Sequence, residues 1–357
     1  MTNNLDKSID PFIEINGRKV GTGYPTYVIA EMSANHNQDY DHAVRIIHAI
    51  KESGADAVKL QTYTPDTLTI DCDNENFQIT GTLWSGRTLY DLYSEAYMPW
   101  DWYPKLKAVA EEIGIDLFST PYDQSAVQFL EGMDMPVFKI ASFENVDLPL
   151  LRGIAKTGKP IIMSTGMATL SEIDESVRTI RESGGTQLAL LKCTSAYPAP
   201  PEETNLRAIS HLADTFGLPT GLSDHTIGTA VPIAAVAQGA CIIEKHITLN
   251  RGIDGPDSRF SAEPAELKFM VESIRLVEKA LGSVRYGDGE EESKSKMFRR
   301  SLFVVNDIKI GDKLTSENIR SIRPGYGLHT RYFETILGRR ASRDIARGTP
   351  LDWDLIS

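Results

Sequence analysis

Eight short apolar runs recur between residues 27 and 248, with longer stretches of helical character between them. This alternation constrains the fold more than any other feature of the chain. The runs are YVIAEMS (27–33), AVKLQTY (57–63), IDLFST (115–120), VFKIAS (137–142), PIIMST (160–165), LALLKCTS (188–195), PTGLSDH (219–225) and CIIEKHIT (241–248). Stretches 39–53, 100–114, 170–183 and 263–281 show helix-like apolar spacing, and Ser171 is the expected start of the third. Eight β/α repeats in about 255 residues match the count and length of a TIM (β/α)8 barrel, an α/β fold. A doubly wound open sheet is the alternative. It rarely needs eight parallel strands, and no G-x-G-x-x-G follows the first run.

Polar residues gather at the C-terminal ends of all eight runs. In order they are Glu31 and Ser33, Lys59 and Gln61, Thr120, Lys139 and Ser142, Ser164, Thr194 and Ser195, Ser223 and His225, and Glu244 and His246. Active sites of this fold lie at that face, so one site built from every strand is the economical explanation. His225 and His246 close two runs separated by an Ala/Val/Ile-rich helical stretch. That is a βαβ unit, which places the two imidazoles at the same end of parallel, neighbouring strands. Two such rings can share a metal ion, although each alone also reads as a hydrogen-bonded core histidine. A pair of imidazoles leaves positions open for water and substrate, which suits a Lewis acid. With oxygen co-ligands it fits Mn²⁺, Co²⁺, Fe²⁺ or Zn²⁺ better than Mg²⁺ or Ca²⁺, and manganese is the expected ion.

Lys59 and Lys139 fall inside strands, where an unpaired ammonium is costly. An anionic ligand would resolve that cost. With the hydroxyls of Thr120, Ser142, Ser164 and Ser223 they form a candidate cradle for phosphate or for phosphate plus carboxylate. Glu31, Glu144, Glu244 and Asp257 are the candidate catalytic carboxylates for proton transfer. Gln61, two residues beyond Lys59 on the same run, is a further candidate ligand contact on this rim. Lys192 offers a rival chemistry, since a lysine there could form a Schiff base in an aldolase. His36, within N-H-N (35–37), is either a third metal ligand or a residue that shapes its loop.

Charge is unevenly spread. Residues 1–293 carry 24 Lys/Arg against 42 Asp/Glu, whereas residues 294–347 carry 13 against 5. The basic tail has few aromatics and scattered charges, which argues against a nucleic-acid arm and for docking onto an acidic barrel, its own or a partner's. The first 30 residues lack a basic region followed by an apolar run, and no apolar stretch approaches the length of a membrane span. Cys72, Cys193 and Cys241 show no metal-type spacing and are expected as reduced thiols. A cytoplasmic protein with neither membrane nor nucleic-acid partner is expected. The expected division is an N-terminal hairpin plugging the barrel (1–26), the barrel (27–282), a linker (283–300) and a small C-terminal domain (301–357). The aromatic insertion at 64–99 is either a lid or wall of the site or a packed surface loop.

These motifs together resemble the sialic acid synthase family, the phosphoenolpyruvate-dependent nonulosonic acid synthases. The resemblance runs through IAEMSANHNQ (29–38), STPYD (119–123), FKIASFE (138–144), MSTGMA (163–168), CTSAYPAP (193–200), GLSDHT (221–226), IEKHIT (243–248), GPDSRFS (255–261), RRSL (299–302) and IRPGYG (322–327). QTYTPDTLTID (61–71) and GTLWSGRTLYDLY (81–93) look most like the branch whose sugar is a 2,4-diacetamido-trideoxy-altrose. N-acetylmannosamine or a legionaminic acid precursor are the alternatives. The resemblance implies a barrel followed by an antifreeze-like (SAF, β-clip) domain in a domain-swapped homodimer. It implies a carbon–carbon bond-forming transferase that joins phosphoenolpyruvate to an amino-sugar aldehyde and releases phosphate. By motif, Lys59, Thr120, Lys139, Ser142, Ser164, Tyr197 and Ser223 correspond to phosphoenolpyruvate-binding positions, and His225 and His246 to metal ligands. Glu31 corresponds to the carboxylate that handles water or a hydroxyl proton, and Arg323 to a contact with the sugar's acyl group in a partner's barrel, with Gln61 the second expected sugar-binding residue. Ser195 and MSANHNQ depart from the N-acetylneuraminate synthase pattern, which bears on the choice of sugar.

Overall fold

The computed structural model describes residues 11–287 and 289–357. Residues 1–10 of the expected N-terminal plug, and Asp288 of the expected linker, lie outside them. Asn16 and Gly17, both at positive φ, close a hairpin of β1 (Phe12–Ile15) and β2 (Arg18–Gly21). Two-residue turns that match strand twist require that backbone conformation. Ile13, Ile15 and Val20 of the hairpin are buried against Tyr27, Ile29, Phe118, Ile162 and Leu191, the apolar floor of the next motif.

That motif is a closed parallel barrel. Its strands are β3 (Tyr27–Glu31), β4 (Ala57–Thr62), β5 (Asp116–Pro121), β6 (Phe138–Ile140), β7 (Ile161–Ser164), β8 (Leu188–Cys193), β9 (Thr220–Asp224) and β10 (Ile242–His246). All eight coincide with the apolar runs of the sequence, and β10 pairs with β3 to complete the ring. Helices follow each strand, including Tyr40–Glu52, Tyr103–Ile113, Leu170–Glu182 and Pro264–Leu281. Ser171 does not start the third of them, contrary to expectation. The third of these helices is capped by Thr169, whose hydroxyl accepts from Glu172 N at 3.3 Å while the Glu172 carboxylate accepts from Thr169 N at 2.7 Å. This reciprocal box outcompetes Ser171, which sits inside the first turn.

Alternation along the strands sorts the side chains into two environments. Val28, Ala30, Val58 and Leu60 face the helices and join the main core. Tyr27, Ile29, Ala57 and Phe118 face the barrel axis and form its apolar floor. Continuing the inward series upward reaches Glu31, Lys59, Thr120, Lys139, Ser164, Ser223, Glu244 and His246. The site is therefore the polar top of a packed barrel interior.

Residues 283–357 form a second compact unit. Strands β11 (Ser301–Val304) and β12 (Ile319–Ile322) pair antiparallel, and Leu302, Val304, Ile308, Leu314, Ile345 and Leu351 are among its buried core residues. Among the described residues no helix is long and apolar enough to cross a membrane.

Candidate active site

A cavity of about 370 Å³ opens at the C-terminal ends of the barrel strands. Register explains its floor. Glu31 lies opposite Lys59 on one side and His246 on the other, and Glu244 lies opposite Ser223. The Lys59 Nζ stands 2.5 Å from the Glu31 carboxylate and 3.6 Å from that of Glu244, and it donates to Thr120 Oγ1 at 3.2 Å. Lys139 donates to Ser164 Oγ at 2.7 Å and lies 3.8 Å from Glu244. Ser223 donates to Glu244 Oε1 at 3.1 Å. Two buried cations thus flank one buried carboxylate. Glu31 and Glu244, rather than an anionic ligand alone, offset the cost of burying the two ammonium groups.

The electrostatics follow from burial and these pairings. Burial opposes the charge on Lys59, but Glu244 and Glu31 more than offset it and hold its pKa above the usual value. Lys139 is lowered, chiefly by burial. Glu244, despite burial, is held below the usual carboxylate range by Lys139 and Lys59. Burial pushes Glu31 up to about 6, against the pull of Lys59. Glu144 is pushed up to about 7, again by burial. Burial also raises Asp257, which accepts hydrogen bonds from the Ser33 hydroxyl and from Ala34 N.

His225 and His246 both line the cavity, with ring centroids 5.3 Å apart. The His225 Nδ1 contacts Thr194 O at 2.9 Å. A carbonyl can only accept, so that nitrogen carries the proton and, in the neutral ring, Nε2 keeps its lone pair; burial opposes the charge on His225, but Cys193 and this hydrogen bond more than offset it and raise its pKa. His246 Nδ1 is buried with no hydrogen-bond partner, and burial together with the neighbouring His225 holds this ring neutral, its pKa well below the usual value. Among the described residues no cluster of three or more His, Cys, Asp and Glu donors is arranged to hold a metal. Two neutral-capable imidazoles, one with an orphaned nitrogen, nonetheless fit a divalent ion that draws its remaining ligands from water or substrate oxygens.

The chain matches the model of the NeuB family over residues 46–286 and that of the SAF domain over residues 299–357. It is 44% identical to a pseudaminic acid synthase of Helicobacter pylori, across 92% of this chain and 97% of that protein. The chain belongs to the NeuB family. An N,N'-diacetyllegionaminic acid synthase of Legionella pneumophila is 36% identical over 96% of this chain and 98% of its own. The crystal structure of an N-acetylneuraminic acid synthetase from Leptospira borgpetersenii, in complex with citrate, superposes with a TM-score of 0.72 at 31% identity. It covers 80% of this chain and 95% of that one. The barrel, the SAF domain and the resemblance to sialic acid synthases are thereby borne out.

In this NeuB-family barrel, Lys59, Gln61, Lys139, Ser142, Glu144, Ser164, Tyr197, Ser223, Glu244 and Asp257 all reach the cavity wall along with the two histidines. Thr120 and Glu31 do not line it. Both are fully buried beside Lys59, which bonds to each. Arg323 is exposed on the second unit. Lys192 points away from the cavity, because alternation along β8 turns Cys193 inward. Its Nζ donates instead to Cys193 O at 2.7 Å. That placement argues against the Schiff-base aldolase. His36 also stays outside the cavity lining; its Nδ1 accepts from Gln38 N at 2.9 Å, and its ring meets Trp102 edge-on. It shapes the loop.

Three features go further than the sequence alone decides. Cys193, expected as a reduced core thiol, lines the cavity 3.8 Å from His225 Nδ1. The insertion at 64–99 supplies Leu68, Ile79, Trp84, Leu92 and Tyr93 to the cavity wall, so it is a wall of the site. Trp84 is pinned there by its indole N–H to Pro256 O at 2.9 Å and by a tilted ring contact with Tyr197. The third is an ion pair behind the histidines, Lys245 with Asp224.

Proposed function

We propose that the chain condenses phosphoenolpyruvate with 2,4-diacetamido-2,4,6-trideoxy-altrose and water, giving pseudaminic acid and phosphate. One observation carries this assignment: two buried lysines and two imidazoles share a cavity in a chain 44% identical to a pseudaminic acid synthase over 92% of its length. The lower identity, 36%, to the legionaminic acid synthase favours the altrose-derived sugar over that alternative.

Lys59 and Lys139, aided by Ser142, Ser164, Tyr197 and Ser223, hold the phosphate and carboxylate of phosphoenolpyruvate. His225 and His246 would hold a divalent ion, manganese being expected, which when bound supplies Lewis acidity for an aldehyde oxygen. Gln61 and the insertion wall orient the sugar so that its aldehyde carbon faces C3 of the enolpyruvate. A bond forms between those carbons, and the aldehyde oxygen takes up a proton. Water then adds at C2, losing its proton to a carboxylate. The bond from C2 to the phosphate oxygen then breaks, the departing phosphate takes the remaining proton of the C2 hydroxyl, and the 2-keto acid is left.

Glu144 and Asp257 line the cavity, and the raised pKa of Glu144 suits it to exchange protons near neutrality. Glu31 acts through Lys59. When Lys59 turns its charge to the substrate's phosphate, Glu31 loses its counter-ion and becomes the stronger base. Thr120 keeps the Lys59 ammonium in place. We further propose a cytoplasmic, domain-swapped homodimer in which Arg323 of one copy meets the sugar's acyl group in the barrel of another. The opposite charges of residues 1–293 and 294–347 support it.

The test is phosphate release from phosphoenolpyruvate with each of three sugars: the diacetamido-trideoxy-altrose, N-acetylmannosamine and the legionaminic acid precursor. Each is run with and without a chelator. Turnover with the altrose sugar, abolished by chelation, is expected. Preference for either other sugar would overturn the specificity, and full activity in chelator would overturn the metal.

A further inference from the structure

Lys245 lies between Glu244 and His246 on β10, and strand alternation turns it away from the cavity that both neighbours line. Its side chain is 1% exposed, as is that of Asp224, its ion-pair partner at 2.6 Å. The same ammonium donates to Thr226 O at 2.7 Å. Thr226 in turn donates to the Asp224 carboxylate from its backbone N–H at 3.1 Å and from its hydroxyl at 2.9 Å. No substrate in the cavity reaches this network, so the chemistry described above gives it no task.

Stability alone is a poor explanation. Taking both ions out of water offsets most of the attraction between them, and an apolar pair of similar volume often serves as well. What the network does achieve is local geometry. Asp224 and Lys245 are register partners on β9 and β10. Asp224 precedes His225, Thr226 follows it, and Lys245 precedes His246. One ammonium therefore holds the chain on both sides of the first imidazole and is covalently next to the second. A metal ligand displaced by about half an ångström no longer meets its ion well. A device that fixes two backbones at this point acts directly on that tolerance.

We propose that Lys245 and Asp224 are positioning residues that fix the separation of His225 and His246 and so set the affinity of the pair for a divalent ion. This rests on the metal assignment made above. Groups standing behind metal ligands typically alter metal affinity by about 10–100-fold when removed.

The test titrates Mn²⁺ into the full-length wild type, Asp224→Asn and Lys245→Met, with free Mn²⁺ read by electron paramagnetic resonance. Phosphoenolpyruvate binding by calorimetry and thermal melting are followed in parallel. Asp224→Asn keeps the shape and most hydrogen bonds, and the double variant Asp224→Asn/Lys245→Met leaves no buried charge unpaired, so it replaces either single variant that unfolds. The expected result is a rise of about tenfold or more in the Mn²⁺ dissociation constant. Phosphoenolpyruvate affinity should stay within about twofold, and the melt should remain cooperative. Wild-type Mn²⁺ affinity in folded Asp224→Asn overturns the proposal. Equal losses of Mn²⁺ and phosphoenolpyruvate affinity also overturn it, since they indicate a general structural role. A wild type that binds no Mn²⁺ overturns the underlying metal assignment instead.

Discussion

The ammonium of Lys59 rests 2.5 Å from the carboxylate of Glu31, with both side chains almost wholly removed from solvent. Strand register puts the two residues side by side on β4 and β3. The pair ties the expected phosphate-binding cation to the carboxylate expected to handle water.

Lys59→Met should therefore affect Glu31 as well as ligand binding. Removing one partner of a buried pair typically costs about 3–5 kcal/mol, because the other charge is left uncompensated. Glu31 escapes part of that penalty by taking a proton. Its pKa, already raised to about 6 with Lys59 present, rises further without it. The destabilisation should be small near pH 5 and grow toward pH 8, as measured by urea unfolding at both values. A pH-independent loss would show that Glu31 is not the group affected.

The corrected helix start gives a second comparison. Thr169→Ala removes a side-chain acceptor from the helix N-terminus and should cost about 1 kcal/mol. Ser171→Ala, inside the first turn, should change stability by less than about 0.5 kcal/mol. Thermal melting of the two variants separates them, and equal effects would contradict the cap.

The difference between Thr169 and Ser171 also marks what a sequence makes visible. Eight strands were legible because inward and outward positions are both buried, so each run is nearly continuous in apolar residues. His225, His246, Lys59 and Lys139 were legible because polar residues at the ends of such runs lack a comfortable structural role. Partnerships were not legible. Nothing in the spacing of Glu31 and Lys59 reveals that they neutralise each other, since the contact depends on barrel shear and rotamer. Cys193 looked like an ordinary core thiol because apolar burial and cavity lining place the same demand on a small side chain. Lys245 was recoverable in principle. Between Glu244 and His246, it must face the opposite side of the strand, into apolar surroundings that demand a counter-ion.

Burial of Glu144 has a signature in stability. Its folded pKa is raised to about 7 from 4.5. In that window the folded protein binds more protons than the unfolded chain, so stability falls as pH rises. The contribution is fully present below pH 4.5 and lost as pH passes through about 7. Glu144→Gln should remove this part of the slope, making the variant relatively more stable than wild type at pH 8 by about 1–3 kcal/mol. Glu31, raised by the same cause, leaves some slope behind. Urea midpoints at pH 5 and pH 8 test this, and an unchanged slope in the variant would refute it.

Trp84 links the insertion wall to the cavity, since its indole N–H is held by Pro256 O at 2.9 Å and its ring lies against Tyr197. The lysines and hydroxyls that hold phosphoenolpyruvate in the proposed reaction belong to the barrel strands and the loops that follow them, whereas the wall belongs to the 64–99 segment. Trp84→Ala should therefore raise KM for the sugar by about tenfold, equivalent to about 1.4 kcal/mol of lost binding. KM for phosphoenolpyruvate should change less, by no more than about threefold, because Trp84 touches only Tyr197 of the groups that hold it. Trp84→Phe keeps the ring and loses only the N–H, so it should recover most of the sugar affinity if ring contact is what matters. Steady-state kinetics with each substrate varied in turn distinguish the cases. Parallel increases in both KM values would mean that Trp84 orders the whole mouth of the barrel, and the division of the cavity into a strand-borne phosphate end and an insertion-borne sugar end would fail.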